Sequence, residues 1–145
     1  MNYWLMKSEP SVFGIDDLAR AKNSTASWDG VRNFQARNYL REMKKGDLAF
    51  FYHSSCDVPG IAGVAAVQRE AYPDATAFDS KHEHYDADSD PENPRWYMVD
   101  VKLVRKFERV ITLEELRRHA TGKLKDMIVL KRGNRLSITP VTKSE

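Results

Sequence analysis

One short segment of the sequence, residues 48–53, is apolar on both of its faces. Side chains of a β-strand point alternately to opposite faces, so a strand that is apolar throughout has to be covered by protein on both sides. We therefore expect residues 48–53 to form an interior strand of a sheet. The rest of the chain has to supply strands beside it and helices over it.

Three other segments have the composition of β-strands. Residues 3–7 are rich in aromatic and large apolar side chains, and residues 61–68 in small and β-branched ones. Residues 96–107 alternate between apolar and polar side chains, the pattern of a strand with one buried face. The side chains expected to face inward are Tyr97, Val99, Val101 and Leu103. The polar residues 71–95 are assigned to a long loop.

The clearest helix is predicted for residues 33–45, where apolar side chains recur at helical spacing. Asn33 is suited to cap its N-terminus and Gly46 to end it. The apolar stripe consists of Ala36, Tyr39, Leu40 and Met43. Shorter helices are expected at residues 15–21 and 112–120, the second opening with a Thr-x-x-Glu capping box.

Strands interspersed with short helices predict an α+β fold. We expect a mixed, closed or partly closed β-barrel of about five to six strands flanked by short helices. The 145 residues suit a single domain, residues 1–145. Short apolar pieces at residues 127–131 and 136–139 are expected around a turn at Gly133-Asn134.

Cysteine content and hydropathy indicate the compartment. Cys56 is the only cysteine, which excludes a disulfide framework or a thiolate metal cluster. No segment approaches the roughly 20 apolar residues that span a bilayer. The first residues lack the basic and apolar regions of a secretory signal. We therefore predict a cytoplasmic protein that makes no contact with membranes.

Charged residues are segregated although the net charge is only +2. Residues 70–92 contain eight acidic side chains and one basic one, whereas residues 101–145 contain twelve basic and five acidic ones. A basic face favours a polyanion such as nucleic acid as partner. A merely solvated surface gives the same pattern, so charge alone leaves both interpretations open.

Common catalytic motifs are missing from the sequence. There is no GxSxG, P-loop, GxGxxG or HExxH sequence. Cys56 follows His53 by three residues, but a nucleophile needs a base within hydrogen-bond reach and an orienting third group. The sequence indicates no such group, and we expect no catalytic residues.

Residues 82–90 contain metal-ligating side chain types, among them His82, His84 and three aspartates spaced like the start of a calcium loop. The sixth position of that loop is Pro91 instead of glycine, and the twelfth is Tyr97 instead of glutamate. We interpret this segment as a solvated acidic loop and predict no metal site.

Polar and aromatic residues gather where the predicted strands and helix begin or end, and we expect them to meet at one mouth. Trp28 or Tyr52 offers a stacking face, and hydroxyl or amide groups offer hydrogen bonds to a planar polar ligand. These groups belong to Ser8, Asn33 and Ser54. The N–H groups at the helix start are suited to bind a phosphate. Arg32, Arg37 and Arg41 are expected to bind further phosphates along a nucleic-acid backbone. Core packing is the alternative for Trp28 and the preferred one for Trp4, Phe13, Tyr39 and Phe50.

The order of several short motifs resembles the EVE domain family over nearly the whole chain. The opening Tyr3-Trp4-Leu5-Met6-Lys7-Ser8-Glu9-Pro10 and the segment Trp28-Asp29-Gly30-Val31-Arg32-Asn33 carry the resemblance most clearly. The further motifs, in order, are Gln35-Ala36-Arg37-Asn38, Gly46-Asp47, Phe51-Tyr52-His53-Ser54, Gly63-Val64-Ala65, Pro94-Arg95-Trp96 and Arg135-Leu136-Ser137-Ile138-Thr139-Pro140-Val141.

This resemblance implies a PUA-like, curved and partly closed β-barrel that reads a modified base, most often modified cytosine in DNA. It implies no metal, no redox cofactor and no catalysis, and we expect a monomer. The implied base-binding residues are Lys7, Ser8, Trp28, Val31, Arg32, Asn33, Tyr52, His53, Ser54, Ser137 and Pro140. Those expected to hold phosphates are Arg32, Arg37 and Arg41.

Two departures from the family pattern are expected to matter differently. Phe34 stands where relatives often have tyrosine, which removes a hydroxyl with little expected effect. Relatives continue into a tryptophan-containing helix that would add a pocket wall. Three other functions stay open: binding of modified tRNA or rRNA, an enzyme acting on a nucleotide or small ligand with His53 as base, and an interaction module with a vestigial pocket.

Overall fold

A computed structural model describes residues 2–90, 92, 94–120, 122, 124, 127–128 and 136–142. Its strands are β1 (Tyr3–Ser8), β2 (Thr25–Trp28), β3 (Leu48–His53), β4 (Gly60–Pro73), β5 (Tyr97–Thr112) and β6 (Ile138–Val141). Its α-helices are α1 (Pro10–Phe13), α2 (Ile15–Arg20), α3 (Phe34–Glu42) and α4 (Leu113–Arg117). Single 3₁₀ turns lie at Lys22–Ser24 and Ala75–Phe78.

The six strands form one mixed sheet in the order β2-β5-β4-β3-β1-β6. Strands β1 and β3 are parallel, and the other neighbours are antiparallel. The predicted α+β class, strand number and interior position of residues 48–53 are confirmed. In the described part of the chain β2 and β6 are edge strands, so the sheet is curved but not closed into a barrel.

The curvature comes from the two long strands β4 and β5. Their pairing shifts register at four places, and each such bulge bends the strand and increases its twist. Gly63 lies where the strands approach closely, since a Cβ there would overlap the carbonyl oxygen of Arg105. The sequence placed the end of the first of these strands at residue 68, but it continues to Pro73 because β5 pairs with it throughout.

Strand β2 was not predicted, because residues 25–27 are small and mostly polar. Their backbone pairs with β5, from Thr25 opposite Lys102 to Trp28 opposite Val99. An edge strand needs only one apolar face, so a polar composition does not prevent this pairing. Its last residue is Trp28, which the sheet therefore fixes in position.

The core lies mainly between one face of the sheet and helices α2 and α3. The predicted stripe of α3 is confirmed: Ala36, Leu40 and Met43 are fully buried, and Tyr39 packs against Trp4. The helix begins after the Asn33 cap as predicted but ends at Glu42, before Gly46. A second cluster on the other face of β1 includes Leu5, Tyr52 and Ile61. The predicted turn at Gly133-Asn134 and the apolar residues 129–131 lie outside the described residues.

Asp47 joins three separate parts of this framework, although it is only 3% exposed. It accepts hydrogen bonds from the backbone N–H of Asn2 and of Lys44 and from Trp4 Nε1 at 3.1 Å. Burial raises the pKa of this carboxyl, but the three hydrogen bonds outweigh burial and the net direction is downward. The ionised carboxylate therefore stabilises the start of β1 against the end of α3.

Replacing Asp47 by asparagine should lower the free energy of unfolding by roughly 1–3 kcal/mol, because an amide group turns one of its N–H donors toward backbone donors. Urea denaturation at neutral pH measures this change. Asp57→Asn, at an exposed position, is the matched control and should change stability by less than about 0.5 kcal/mol. Equal stability of the two variants would contradict the role given to Asp47.

Candidate functional site

A cavity of about 880 Å³ opens where β1 and β2 end and α3 begins. This volume lies within the range of about 300–1,000 Å³ that is usual for ligand sites. Seven of the predicted base-binding residues line it: Lys7, Ser8, Trp28, Val31, Arg32, Asn33 and Ser137. The ends of β1 and β2 and the start of α3 thus meet at one cavity as expected, whereas Tyr52 and Ser54, at the end of β3, do not line it.

Trp28 forms part of the cavity wall and of the core. It is 8% exposed, and its ring meets Phe51 edge to face with centroids 5.3 Å apart. The sequence left core packing and ligand contact as alternatives for this residue; the structure shows core packing and a place in the cavity wall, and ligand contact stays a prediction. Packing on Phe51 fixes the indole ring, so a ligand would meet a rigid surface.

The polar groups of Ser8 and Asn33 are already partly engaged by the backbone. Ser8 Oγ donates to the carbonyl oxygen of Phe13 at 2.6 Å, so toward a ligand it can only accept. Asn33 Oδ1 accepts from Ala36 N at 3.0 Å as the helix cap, which leaves its amide nitrogen as a donor. Toward a ligand, Ser8 therefore offers an acceptor and Asn33 a donor.

An ion pair between partly exposed Arg32 and fully buried Asp74 supports the wall that contains residues 30–32. The Asp74 carboxylate is fully buried and accepts from Gly30 N at 2.9 Å, Arg32 Nη1 at 3.0 Å and both donors of Thr76. Burial raises the pKa of Asp74, but these hydrogen bonds bring its net direction downward. Asp74 itself was assigned to a polar loop, and no sequence motif marks its role.

Arg32 uses all five of its N–H donors within the protein. Besides Asp74, it bonds the carbonyl oxygen of Val31, Thr76 Oγ1 and, through both Nε and Nη2, the carbonyl oxygen of His84. Its predicted contact with phosphate would require some of these bonds to break. The geometry instead indicates that Arg32 fixes the backbone of His84 at the cavity wall.

Nine cavity-lining residues were not predicted as site residues: Glu9, Val12, Phe13, Ser27, Asp29, Gly30, His82, Glu83 and His84. The last three belong to the segment interpreted as a solvated acidic loop. Its carboxylates are largely used to fix the loop, since Asp86 accepts from Trp96 Nε1 and from Asp88 N. The alternation of His82 and His84 in an otherwise acidic segment was the one sequence signal available.

The four other predicted base-binding residues do not line the cavity within the described residues. Tyr52 is buried in the second core cluster, where Lys7 Nζ lies 5.9 Å from its ring centre. Burial lowers the pKa of Lys7. Ser54 donates its N–H to the carbonyl oxygen of Ser8, and Pro140 lies opposite Trp4 in the sheet. Their predicted contact with a base would need a ligand that extends beyond this cavity.

His53, the fourth of these residues, supports the backbone at the start of α2. Its Nε2 accepts from Ile15 N at 3.1 Å, and its ring packs edge to face on Phe51. Burial lowers the pKa of His53, partly offset by the charge of Asp16. A histidine whose Nε2 already accepts a backbone bond has that lone pair occupied and is poorly placed to act as a general base.

Arg37 and Arg41 line a neighbouring groove together with Phe34, Asp88, Asp90, Pro94, Arg95 and Tyr97. Arg37 lies 5.0 Å from the ring centre of Phe34 and donates through Nη1 to the carbonyl oxygen of Arg95. Arg41 lies 4.9 Å from the ring centre of Tyr97. At the start of α3, Asn33 lines the cavity and Phe34 lines the groove. Both arginines therefore lie near the cavity without lining it.

Acidification should destabilise the protein between about pH 7 and about pH 5.5 partly through His53. Its folded pKa is lowered from 6.5, so the unfolded chain takes up the proton first and stability falls as the pH falls. His53→Gln keeps an acceptor for Ile15 N without titrating and should show a smaller loss. Urea denaturation at about pH 7 and at about pH 5.5 measures this loss of folding stability. His119→Gln, at an exposed position, is the control, and equal pH dependence of all three proteins would contradict this account.

The EVE domain model matches residues 2–145, and the chain belongs to this family. Thymocyte nuclear protein 1 of Homo sapiens is 49% identical over 159 residues, covering 99% of this chain and 70% of the relative. The same protein of Gallus gallus is 49% identical over 158 residues, covering 99% of this chain and 65% of the relative. The chain thus spans about two thirds of the length of these curated relatives.

Solved structures share the fold closely. A crystal structure of human THYN1 protein in complex with DNA containing 5-methylcytosine has a TM-score of 0.94 and 48% identity, covering 99% of this chain and 92% of that one. A protein from Pseudomonas putida has a TM-score of 0.93 and 49% identity, covering 98% and 93%. The resemblance inferred from the motifs is therefore confirmed. Among the described residues, no helix is long and apolar enough to cross a membrane.

Proposed function

We propose that this chain binds DNA that contains a modified cytosine and takes the modified base, turned out of the helix, into the cavity beside Trp28. The observation that carries this proposal is the likeness, at 48% identity and a TM-score of 0.94, to a human protein crystallised with DNA containing 5-methylcytosine. The cavity at the strand ends is where such a base has room.

Energetics are compatible with base extrusion. Unstacking a base costs a few kcal/mol. Contact with an aromatic side chain returns on the order of 1–3 kcal/mol, and a rigid indole such as that of Trp28 gives it without an ordering cost. Hydrogen bonds to the base edge and burial of a methyl substituent supply the remaining free energy of binding. Because only the modified base has this methyl group, it is the preferred occupant.

The groups around the cavity suit the edge of cytosine. Its N4 amino group is a donor, and carboxylates of Glu9 and Asp29 and the lone pairs of Ser8 Oγ are acceptors at the rim. Its O2 and N3 are acceptors, which suit the amide nitrogen of Asn33. Thymine lacks the amino group and would leave the carboxylates without a partner.

Phosphates of the DNA backbone are assigned to the arginines outside the cavity. Arg37 and Arg41 border the groove next to the start of α3, while the guanidinium of Arg32 is held inside the protein. Two of the five N–H donors of Arg37 are not used in its bonds to Arg95 and Asn38. Binding should therefore weaken as salt rises.

The expected absence of catalysis, the monomeric state and the cytoplasmic location stay predictions. The engagement of His53 by Ile15 N argues for a binding role over an enzymatic one. Recognition of RNA is the alternative outcome of the binding experiments.

Trp28→Phe should reduce the preference for 5-methylcytosine DNA over unmodified DNA by roughly fivefold to tenfold, since part of the stacking surface is lost. Trp28→Ala is less informative because removing a buried tryptophan costs about 3–5 kcal/mol of stability. Fluorescence anisotropy with matched oligonucleotides measures both affinities. Tyr85→Phe, an exposed aromatic position outside the cavity, is the control. Equal losses for modified and unmodified DNA would refute the assigned role of Trp28.

Arg37→Gln should weaken binding to both oligonucleotides alike and reduce the slope of log affinity against log salt by about one. The same titration at several salt concentrations tests this, and Arg41→Gln gives an independent measurement at the same groove. Arg118→Gln, an exposed arginine after α4, serves as control. A slope that stays at the wild-type value in both groove variants would show that the groove does not contact DNA phosphates.

A further inference from the structure

Three side chains of metal-ligating type meet at the rim of the cavity. Asp29 follows β2, and His82 and His84 come from the loop between β4 and β5. One ligand atom of each lies within 4.8 Å of the others. The two imidazole rings have centroids 4.7 Å apart, and His84 Nδ1 lies 3.9 Å from Asp29 Oδ1. These groups converge from two separate parts of the sequence.

One of these ligand atoms has an unfilled bonding capacity. His84 Nδ1 is buried, and among the described residues it has no hydrogen-bond partner. Buried polar atoms are nearly always paired because an unpaired one has lost its bonds to water without replacement. An orphaned imidazole nitrogen facing a carboxylate and a second imidazole is what a site for a cation between them would leave.

The backbone around the three groups is held firmly. Arg32 donates two hydrogen bonds to the carbonyl oxygen of His84, and Asp74 binds both Arg32 and Gly30 N, next to Asp29. The ring of His84 lies directly on Gly30, where a Cβ would be 2.5 Å from Cε1. Ligands from both segments are therefore positioned by one network, as second-sphere contacts do in metal sites.

We propose that Asp29, His82 and His84 bind a divalent cation of the zinc type, with its remaining coordination position open toward the cavity. Two imidazoles and one carboxylate are a ligand set that Zn²⁺ accepts, whereas Mg²⁺ and Ca²⁺ prefer oxygen ligands alone. Zinc bonds of about 2.0–2.2 Å in a tetrahedral site place the ligand atoms roughly 3.3–3.6 Å apart, so the three side chains have to move closer together when the cation binds. The site shares Asp29 and the cavity rim with the proposed base contact, but zinc binding itself does not require DNA.

Binding requires one local exchange. His82 Nδ1 accepts the backbone N–H of His84 at 3.0 Å, which places the proton of the neutral ring on Nε2. A cation bound to Nδ1 replaces this hydrogen bond, and one bound to Nε2 requires the other tautomer. Bound charge would offset the carboxylates of Glu9, Asp29 and Glu83 at the rim, which otherwise repel a polyanion.

Isothermal titration of the full chain with ZnCl₂, and in parallel with MgCl₂, tests the proposal without DNA. We expect one zinc ion per chain, no comparable magnesium binding, and a rise in melting temperature with zinc that EDTA reverses. His84→Gln and His82→Gln should each weaken zinc binding at least tenfold. His119→Gln and Cys56→Ser remove other zinc-binding side chains and should leave the affinity unchanged.

Melting curves in EDTA show whether each variant is folded. If either histidine variant is unfolded, Asp29→Asn, at an exposed position, replaces it and should also lose affinity at least tenfold. Failure of the wild type to bind one zinc ion, or wild-type affinity in the folded ligand variants, would overturn the proposal. DNA binding measured in EDTA tests the proposed function separately.

Discussion

The carboxylate of Asp74 is fully buried and joins segments that are far apart in the sequence. It binds Gly30 N and the guanidinium of Arg32, and Arg32 in turn holds the carbonyl oxygen of His84. Removing one partner from such a pair leaves an uncompensated buried charge, which is far more costly than never having the pair. The cavity wall and the positions of His82 and His84 therefore depend on this one interaction.

The framework around the cavity depends on the sheet. Strand β2 ends at Trp28 and α3 begins after Asn33, so only a short turn separates the aromatic wall from the helix start. Core packing of α3 through Leu40 and of Trp28 against Phe51 fixes both ends of this turn. The same side chains thus stabilise the fold and shape the cavity, which makes large substitutions in the wall costly.

Sequence patterns predicted the interior strand, the amphipathic helix and the meeting of Ser8, Trp28 and Asn33, because periodicity and capping are local properties. They missed β2, whose polar residues are held by pairing with β5. They also missed the part of the cavity wall that His82, Glu83 and His84 form. The role of Asp74 depends on partners more than forty residues away, and Tyr52 shares a motif with the cavity residues but faces the second core cluster. Such side-chain directions are set by tertiary pairing.

The described residues between Asp74 and Trp96 add no strand to the sheet, and their position at the cavity depends on a few polar contacts made across a long stretch of chain. A segment of this kind can open as its own cooperative unit while the sheet stays intact. Amide hydrogens of the loop would then exchange with solvent sooner than those of β3 and β4. Opening of this segment would have to part the contacts of Asp74 with Gly30 and Arg32, so these contacts set the stability of the wall.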